Sequence, residues 1–482
     1  MKFFIFTLSF TFSFSAFAAE KTNLSLVDYL EQVRTSHLGF AASEMRAKAA
    51  FQESKLGRFM LSPQLLAKSQ WYNDGRPTLN PASMGSKTKV FANTLGLSKL
   101  FSTGTQAKVT YELSHTTLEG TSPSLISQPK YYDASPTIEV SQSLWKNFFG
   151  SETRAMVRAA EAQFLELSFI EQFKLKQILA AAEATYWKYF ISTRILTIRE
   201  QTLERAKKIR TWSKNRMDNH LADRSDFLQG DAAYRTRQFE TQQAQDEQRA
   251  AALSFNTFRG VESSEVKEKL SGLNGEALSS LQIPVRASRR EDLLAAEQRK
   301  RSQTAQADQT LNKSRPSLDA TGSIELHSRN SEMDEAFSQS FKTNHNTYAV
   351  GVNLVLPLDF WAQKDIRAGA HKERKAAELD YQRKFFEQEQ EWRDLSEKFV
   401  ELKKQLTIAR ELESAQREKS VYEQERLHRG RSTTYQVLVF EQDYEFASLN
   451  LAKTEFDLLT TYAQLKTFSN FSSASTQGEV NP

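Results

Sequence analysis

The residues best suited to proton transfer or metal ligation are seven histidines, at positions 37, 115, 220, 327, 345, 371 and 428, and their spacing serves neither. None belongs to an HExxH motif or an i,i+4 pair, the arrangement that aims two imidazoles at one ion from a single helix face. The chain contains no Cys, which excludes disulfides, thiolate metal sites and cysteine nucleophiles. Neither a GxSxG elbow nor a phosphate-binding P-loop occurs. Asp and Glu are plentiful, but on strongly charged helical stretches they read as solvated faces. Trp187, Trp212 and Trp392 read as packing residues rather than binding cages. No catalytic, cofactor-binding or metal site is therefore expected. The net charge of +5 is spread in both signs with no basic stripe, so nucleic acid is not an expected partner.

The elements that would position any site are long. Residues 151–217 contain no Pro and no Gly, so nothing there stops a helix. At 1.5 Å per residue this is a helix of roughly 100 Å. The pattern turns at DNHLADRSD and returns to about residue 260. A second Pro-free helix runs from about residue 362 to 428, turns at RGRST and returns to about residue 470. Apolar residues at 3–4 spacing mark packing seams: Phe440, Tyr444, Ala447, Leu451, Leu458, Tyr462 and Leu465 on the last helix, and Phe164, Leu167, Leu175, Ile178, Ala182 and Tyr186 on the first.

Residues 1–18 read as a secretory signal peptide, with one Lys, a Phe-rich apolar core and a small-x-small end at Ala16-Phe17-Ala18. No later run approaches the roughly 18 apolar residues of a membrane helix. Yet the period shifts from 3.6 to 2 in several short stretches. Leu65, Ala67, Ser69 and Trp71 alternate with other positions, as do Phe91, Asn93, Leu95 and Leu97. Ala107, Val109, Tyr111 and Leu113 alternate with Lys108, Thr110, Glu112 and Ser114. Ile138 and Val140 continue the pattern, and two more strands are expected around Leu318–Leu326 and Tyr348–Leu356. Alternating segments of about ten residues, with long loops bracketing a tight turn, fit an outer-membrane β-barrel. An ordinary soluble antiparallel sheet alternates just as well; the signal peptide and the missing membrane helix favour the barrel.

The chain repeats itself. Helix, strands, long helix, turn and return helix occur once in residues 19–260 and again in residues 289–470. Residues 261–288 are a linker and residues 471–482 a polar, disordered tail. Ala42, Glu44, Arg46, Pro63, Leu65 and Ala67 match Ala295, Glu297, Arg299, Pro316, Leu318 and Ala320 at one fixed offset. Asp226, Phe227, Leu228 and Tyr234 match Gln436, Val437, Leu438 and Tyr444 at a smaller one. The difference is the size of an extra strand pair in the first half.

On these features the chain resembles the TolC-like outer-membrane efflux protein family, over almost all of residues 19–470. The specific elements are the tips HLADRSDFLQGDAAYRTRQFE and HRGRSTTYQVLVFEQDYEFASLNLA, which resemble the family's G-x5-D-V-L pattern. Gly430 and Gln436 keep its spacing in the second tip. His220 and Asp226 keep it in the first, with His in place of Gly. QSLWKNFFG resembles the strand-to-helix junction of a family branch with extra strands.

The resemblance implies a mixed, mostly α fold: long antiparallel coiled-coil helices forming a periplasmic α-barrel, plus antiparallel strands given to one outer-membrane β-barrel shared by a homotrimer. It implies an outer-membrane location with a large periplasmic part, and contact with outer-membrane lipid. The function implied is a passive exit duct for tripartite efflux or type I secretion, gated at the tips, with a periplasmic adaptor and an inner-membrane pump as partners. The tip residues expected to matter are His220, Asp223, Asp226, Gly430, Arg431 and Gln436. The family's paired tip Asp residues are replaced here by Gln436 and Val439, leaving Asp223 and Asp226 as the acidic candidates, and Arg431 stands near a gate-locking Arg. If residues 91–117 span the membrane the trimer has eighteen strands; otherwise it has twelve, with a slight preference for the former. A non-conducting periplasmic tether is the alternative reading.

Overall fold

The computed structural model describes residues 23–342 and 344–470. The signal peptide and the tail expected at the two ends lie outside the described residues. In chain order the elements are β1 (Asn23–Leu24), α1 (Leu26–Ser36), α2 (Leu38–Glu53), α3 (Leu56–Phe59), β2 (Gln64–Asp74), α4 (Pro81–Met84), β3 (Lys87–Leu100), β4 (Thr105–Glu119) and β5 (Lys130–Ser143). The helices α5 (Ser151–Asp218) and α6 (Arg224–Phe258) follow, then β6 (Lys269–Leu270), α7 (Gly275–Ser280) and α8 (Glu291–Lys313). The chain continues through β7 (Ser317–Leu326), β8 (Ser328–Asn330), α9 (Met333–Gln339), β9 (Asn346–Val355), α10 (Phe360–His428) and α11 (Thr434–Lys466). The order helix, strands, long helix, return helix occurs twice, as the repeated residues imply. No described helix is long and apolar enough to cross a membrane.

Two compact units divide the chain. The sheet unit takes its residues from the stretches Met45–Gln172 and Glu291–Glu389. The helix unit takes its described residues from Met1–Glu44, Phe173–Arg290 and Gln390–Pro482.

In the sheet unit, six strands pair in the order β2-β3-β4-β5-β7-β9, all antiparallel, with β8 beside β5. Paired residues point to the same side, so the register sorts the side chains. Leu65, Leu97, Val109, Ile138, Ile324 and Tyr348 form one apolar row across all six strands. All six are exposed in the single chain. Trp71, Phe91, His115 and Tyr132 form an aromatic row on the same face, and Phe101, just past the end of β3, lies ten residues beyond Phe91. Ten residues span about 33 Å along a strand. Tilted by some 45°, that is close to the roughly 25 Å apolar band of a membrane barrel. The opposite face is polar, with rows Lys68–Thr94–Glu112–Ser135 and Ser98–Lys108–Glu139–Ser323.

Two expectations are corrected here. The polar stretch 328–346, expected as a long loop between the last two strands, contains β8 and α9, whose Phe337 packs with Phe341 against Tyr111. The strand carrying Ile138 and Val140, expected from Ser135 onward after a loop, begins at Lys130, because β4 and β8 both offer it partners over Lys130–Ala134.

The strand-to-helix junction is strained. Asn147 and Phe149 have φ of 59° and 43°, and Gly150 has φ of 77°. An aromatic residue at positive φ is costly and needs support. Asn147 supplies it: its side-chain oxygen accepts from the backbone N–H of Glu152 at 2.8 Å and of Thr153 at 3.0 Å, capping α5.

In the helix unit, Tyr29, Tyr186 and Phe255 form the aromatic centre, with Tyr29 stacked on Phe255 at 4.3 Å. The Tyr186 hydroxyl lies 2.9 Å from the Leu24 carbonyl and 2.8 Å from that of Ser271, its one proton shared between them, tying down the parallel β1–β6 pair. Burial pushes that hydroxyl's pKa up to about 12. Trp187 lies in this core and Trp392 packs on it, alongside Leu451, Leu458 and Leu465 of the α11 seam.

Candidate functional site: the paired helix tips

Helices α5 and α10 end in the same turn. In the first tip, the N–H of His220 donates to the Met217 carbonyl at 3.0 Å and that of Leu221 to the Arg216 carbonyl at 2.7 Å. In the second, Gly430 donates to Leu427 at 2.9 Å and Arg431 to Arg426 at 2.8 Å. This is the Schellman pattern, which satisfies helix-end carbonyls and requires one left-handed residue. That residue is His220 at φ 57° and Gly430 at φ 71°. An arginine side chain closes each loop: Arg216 donates to the Leu221 carbonyl at 3.0 Å, Arg426 to the Arg431 carbonyl at 3.2 Å.

Of the six tip residues named from the sequence, His220, Asp223, Gly430 and Arg431 lie between the paired helices, and Asp226 and Gln436 lie in the first turn of α6 and α11. His220, Asp223, Gly430, Arg431 and Gln436 are exposed, and Asp226 is half-buried. Asp223 is the N-cap of α6 without a side-chain capping bond, and the Asp226 N–H donates to its carbonyl at 3.1 Å. Thr433 caps α11 by accepting from the Gln436 N–H at 3.2 Å. The Arg431 side chain makes no hydrogen bond or ion pair among the described residues. A small apolar cluster of Ile209, Leu427 and Val437, with Trp212 and Leu438 against it, holds α5, α10 and α11 together at this end.

The reading of acidic residues as solvated faces fails on α11. Glu441, Glu445 and Glu455 are buried, and each meets arginine from α5 or α6. Arg205 lies 2.6 Å from Glu441, which also accepts from Ser420 on α10 at 2.5 Å. Glu445 is held between Arg199 at 2.5 Å and Arg237 at 2.6 Å, both of which also reach Glu240. Arg194 pairs with Glu455. Burial raises the carboxyl pKa of Glu445 and Glu455 against the pull of these arginines. Glu441, Ser448 and Glu455 are one heptad apart, in step with the apolar seam, and that spacing was the available signal. Beside this network a groove of about 380 Å³ opens among α5, α6 and α11, lined by Ala206, Ala232, Ala233, Tyr435 and Leu438. The polar side chains of Gln229, Arg237, Glu240 and Gln442 line it as well.

The arrangement holds no catalytic constellation; what it offers is a closed, charge-locked helix end with an accessible groove. Residues 285–470 match the family model described as outer membrane efflux protein. No curated protein matches the chain. Among solved structures, the outer membrane protein VceC of Vibrio cholerae is 14% identical, with a TM-score of 0.65 over 92% of this chain and 95% of that one. The CmeC outer membrane channel of Campylobacter jejuni is 12% identical, with a TM-score of 0.64 over 96% and 93%. The open state of the MtrE outer membrane channel of Neisseria gonorrhoeae is 16% identical, with a TM-score of 0.62 over 92% and 88%. The chain therefore has the fold of these channels.

Proposed function

We propose that this chain, whose residues 285–470 belong to the outer membrane efflux protein family, is one third of a homotrimeric exit duct in the outer membrane. The strands form its wall in the lipid, and the helices of the helix unit extend into the periplasm. The observation that carries the reading is the six-stranded sheet, apolar on one face and polar on the other, with β2 and β9 unpaired at its edges among the described residues. An open edge cannot stand in hydrocarbon, where no water can satisfy its N–H and C=O groups. Copies of the same sheet joined edge to edge remove every open edge.

The tips are the gate of this duct. Arg431, whose side chain has no hydrogen bond or ion pair among the described residues, locks against a neighbouring copy, and Asp223 and Asp226 supply the acidic constriction. The groove beside α6 and α11 receives a helical periplasmic adaptor, which links the duct to an inner-membrane pump. The pump supplies the energy, and the chain itself performs no chemistry. The test is the mass of the detergent-purified protein with and without heating. A heat-resistant species of three chains that needs detergent to stay in solution is expected. A monomer that remains soluble without detergent overturns the proposal.

A further inference from the structure

We infer that the β3–β4 hairpin is part of the membrane wall, so that six strands from each of three copies close a barrel of eighteen. This rests on the trimeric outer-membrane reading above and adds to it the construction of the barrel. A hairpin standing outside the membrane would leave β2 paired with β5 and project past their ends. Here β2 pairs with β3 along its whole length, from Gln64↔Ser98 to Asp74↔Thr88. Likewise β4 pairs with β5 from Thr105↔Gln142 to Thr117↔Lys130. The hairpin is interposed between its neighbours at their own height.

Its side chains agree. Leu97 of β3 and Val109 of β4 occupy the second and third places in the apolar row, level with Leu65, Ile138, Ile324 and Tyr348. On the other face Thr94, Glu112, Ser98 and Lys108 continue the polar rows of β2, β5 and β7. A hairpin in water on both sides has no use for this two-sided pattern, whereas a barrel wall requires it.

A second, independent observation fixes the hairpin's lower end. Its tight turn at residues 102–104 is seated on the strand-to-helix junction. Arg154 of α5 donates to the Ser102 carbonyl at 3.3 Å, and Gln142 donates to the Thr103 carbonyl at 3.3 Å. A Cβ on Gly150 would lie 1.8 Å from the Ser102 oxygen, and one on Gly104 would lie 2.7 Å from the Asn147 side chain. The turn and the junction thus touch backbone to backbone, and the hairpin stands on the same base as the other strands.

The occupant of the two free edges is a second copy. Strands alternate in direction along the path from β2 to β9, and six is an even number. The β9 edge of one copy therefore meets the β2 edge of the next antiparallel, as every other pair does. Barrel diameter grows about linearly with strand number, so this wall is roughly half again as wide as one of twelve strands.

The absence of native cysteine makes the test clean. Single cysteines are placed at Leu97, Val109, Ser98 and Lys108 in the hairpin and at Ile138, Ile324 and Ser323 outside it. Trimers in lipid vesicles are treated with a charged, water-soluble maleimide, and Leu95 replaces Leu97, or Ala107 replaces Val109, where that variant fails to assemble. Leu97→Cys and Val109→Cys should react about tenfold more slowly than Ser98→Cys and Lys108→Cys, because hydrocarbon excludes the charged reagent. Rapid labelling of Leu97→Cys and Val109→Cys, with Ile138→Cys and Ile324→Cys still protected, overturns the eighteen-stranded wall and leaves the outer-membrane reading standing. Rapid labelling of Ile138→Cys and Ile324→Cys as well overturns both.

Discussion

Arg426 closes the second helix tip by donating to the carbonyl oxygen of Arg431 at 3.2 Å. The contact uses the backbone of Arg431 and leaves its side chain outside the turn. Arg431→Ser should therefore leave thermal stability within about 0.5 kcal/mol, as for other surface changes. If the side chain locks onto a neighbouring copy, the same variant should raise single-channel conductance in a planar bilayer. A loss of stability without a gain in conductance would assign Arg431 a role in the turn instead.

The two tips also make a matched pair of opposite substitutions. His220 and Gly430 occupy the same left-handed position, where a side chain costs about 1–2 kcal/mol. Part of any gain from glycine is returned as chain entropy in the unfolded state. His220→Gly should stabilise by about 0.5–1 kcal/mol and Gly430→Ala destabilise by about 1 kcal/mol, read as thermal midpoints of the purified protein.

At the junction the expected effect is larger. Gly150→Ala places a methyl group 1.8 Å from the Ser102 carbonyl at a position with φ of 77°. Overpacking and left-handed strain together should cost about 3 kcal/mol or more. The loss would be seen as a fall in the yield of assembled protein and in its thermal midpoint. Normal stability in this variant would mean that the turn at residues 102–104 does not rest on the junction.

Much of this was legible in the sequence because it depends on period. The alternation from Ala107 to Leu113 gave a strand, the Pro- and Gly-free run after Ser151 gave α5, and the match of Asp226 with Gln436 gave the paired tips. What was not legible depends on partners. Glu441, Glu445 and Glu455 look like any solvated acids until Arg205, Arg199, Arg237 and Arg194 are brought beside them by other helices. The β1–β6 pair is two residues long on each side and is held by Tyr186, so no local pattern marks it. Strand β5 extends back through Lys130–Asp133, which follow a Ser- and Pro-rich loop without a clear alternation, because β4 and β8 supply their hydrogen bonds.

The buried acids carry a pH dependence opposite to that of an exposed ion pair. Burial raises the Glu445 pKa above its unfolded value despite Arg237 and Arg199. The folded state therefore binds the proton more tightly than the unfolded state does. Its contribution is complete below the unfolded pKa of about 4.3 and declines as pH rises through the raised folded pKa. The midpoint of the native protein relative to Glu445→Gln should thus fall as pH is raised from about 4 to 8. A difference that grows with pH would show that the two arginines outweigh burial.

Conductance across a planar bilayer tests the central claim most directly. The purified protein, shown by mass to contain three chains, should give discrete, small conductance steps that enlarge when the Arg431 lock is removed. Insertion of the same trimer without conductance, in the native protein and in Arg431→Ser alike, would contradict a gated exit duct and leave a structural tether in its place.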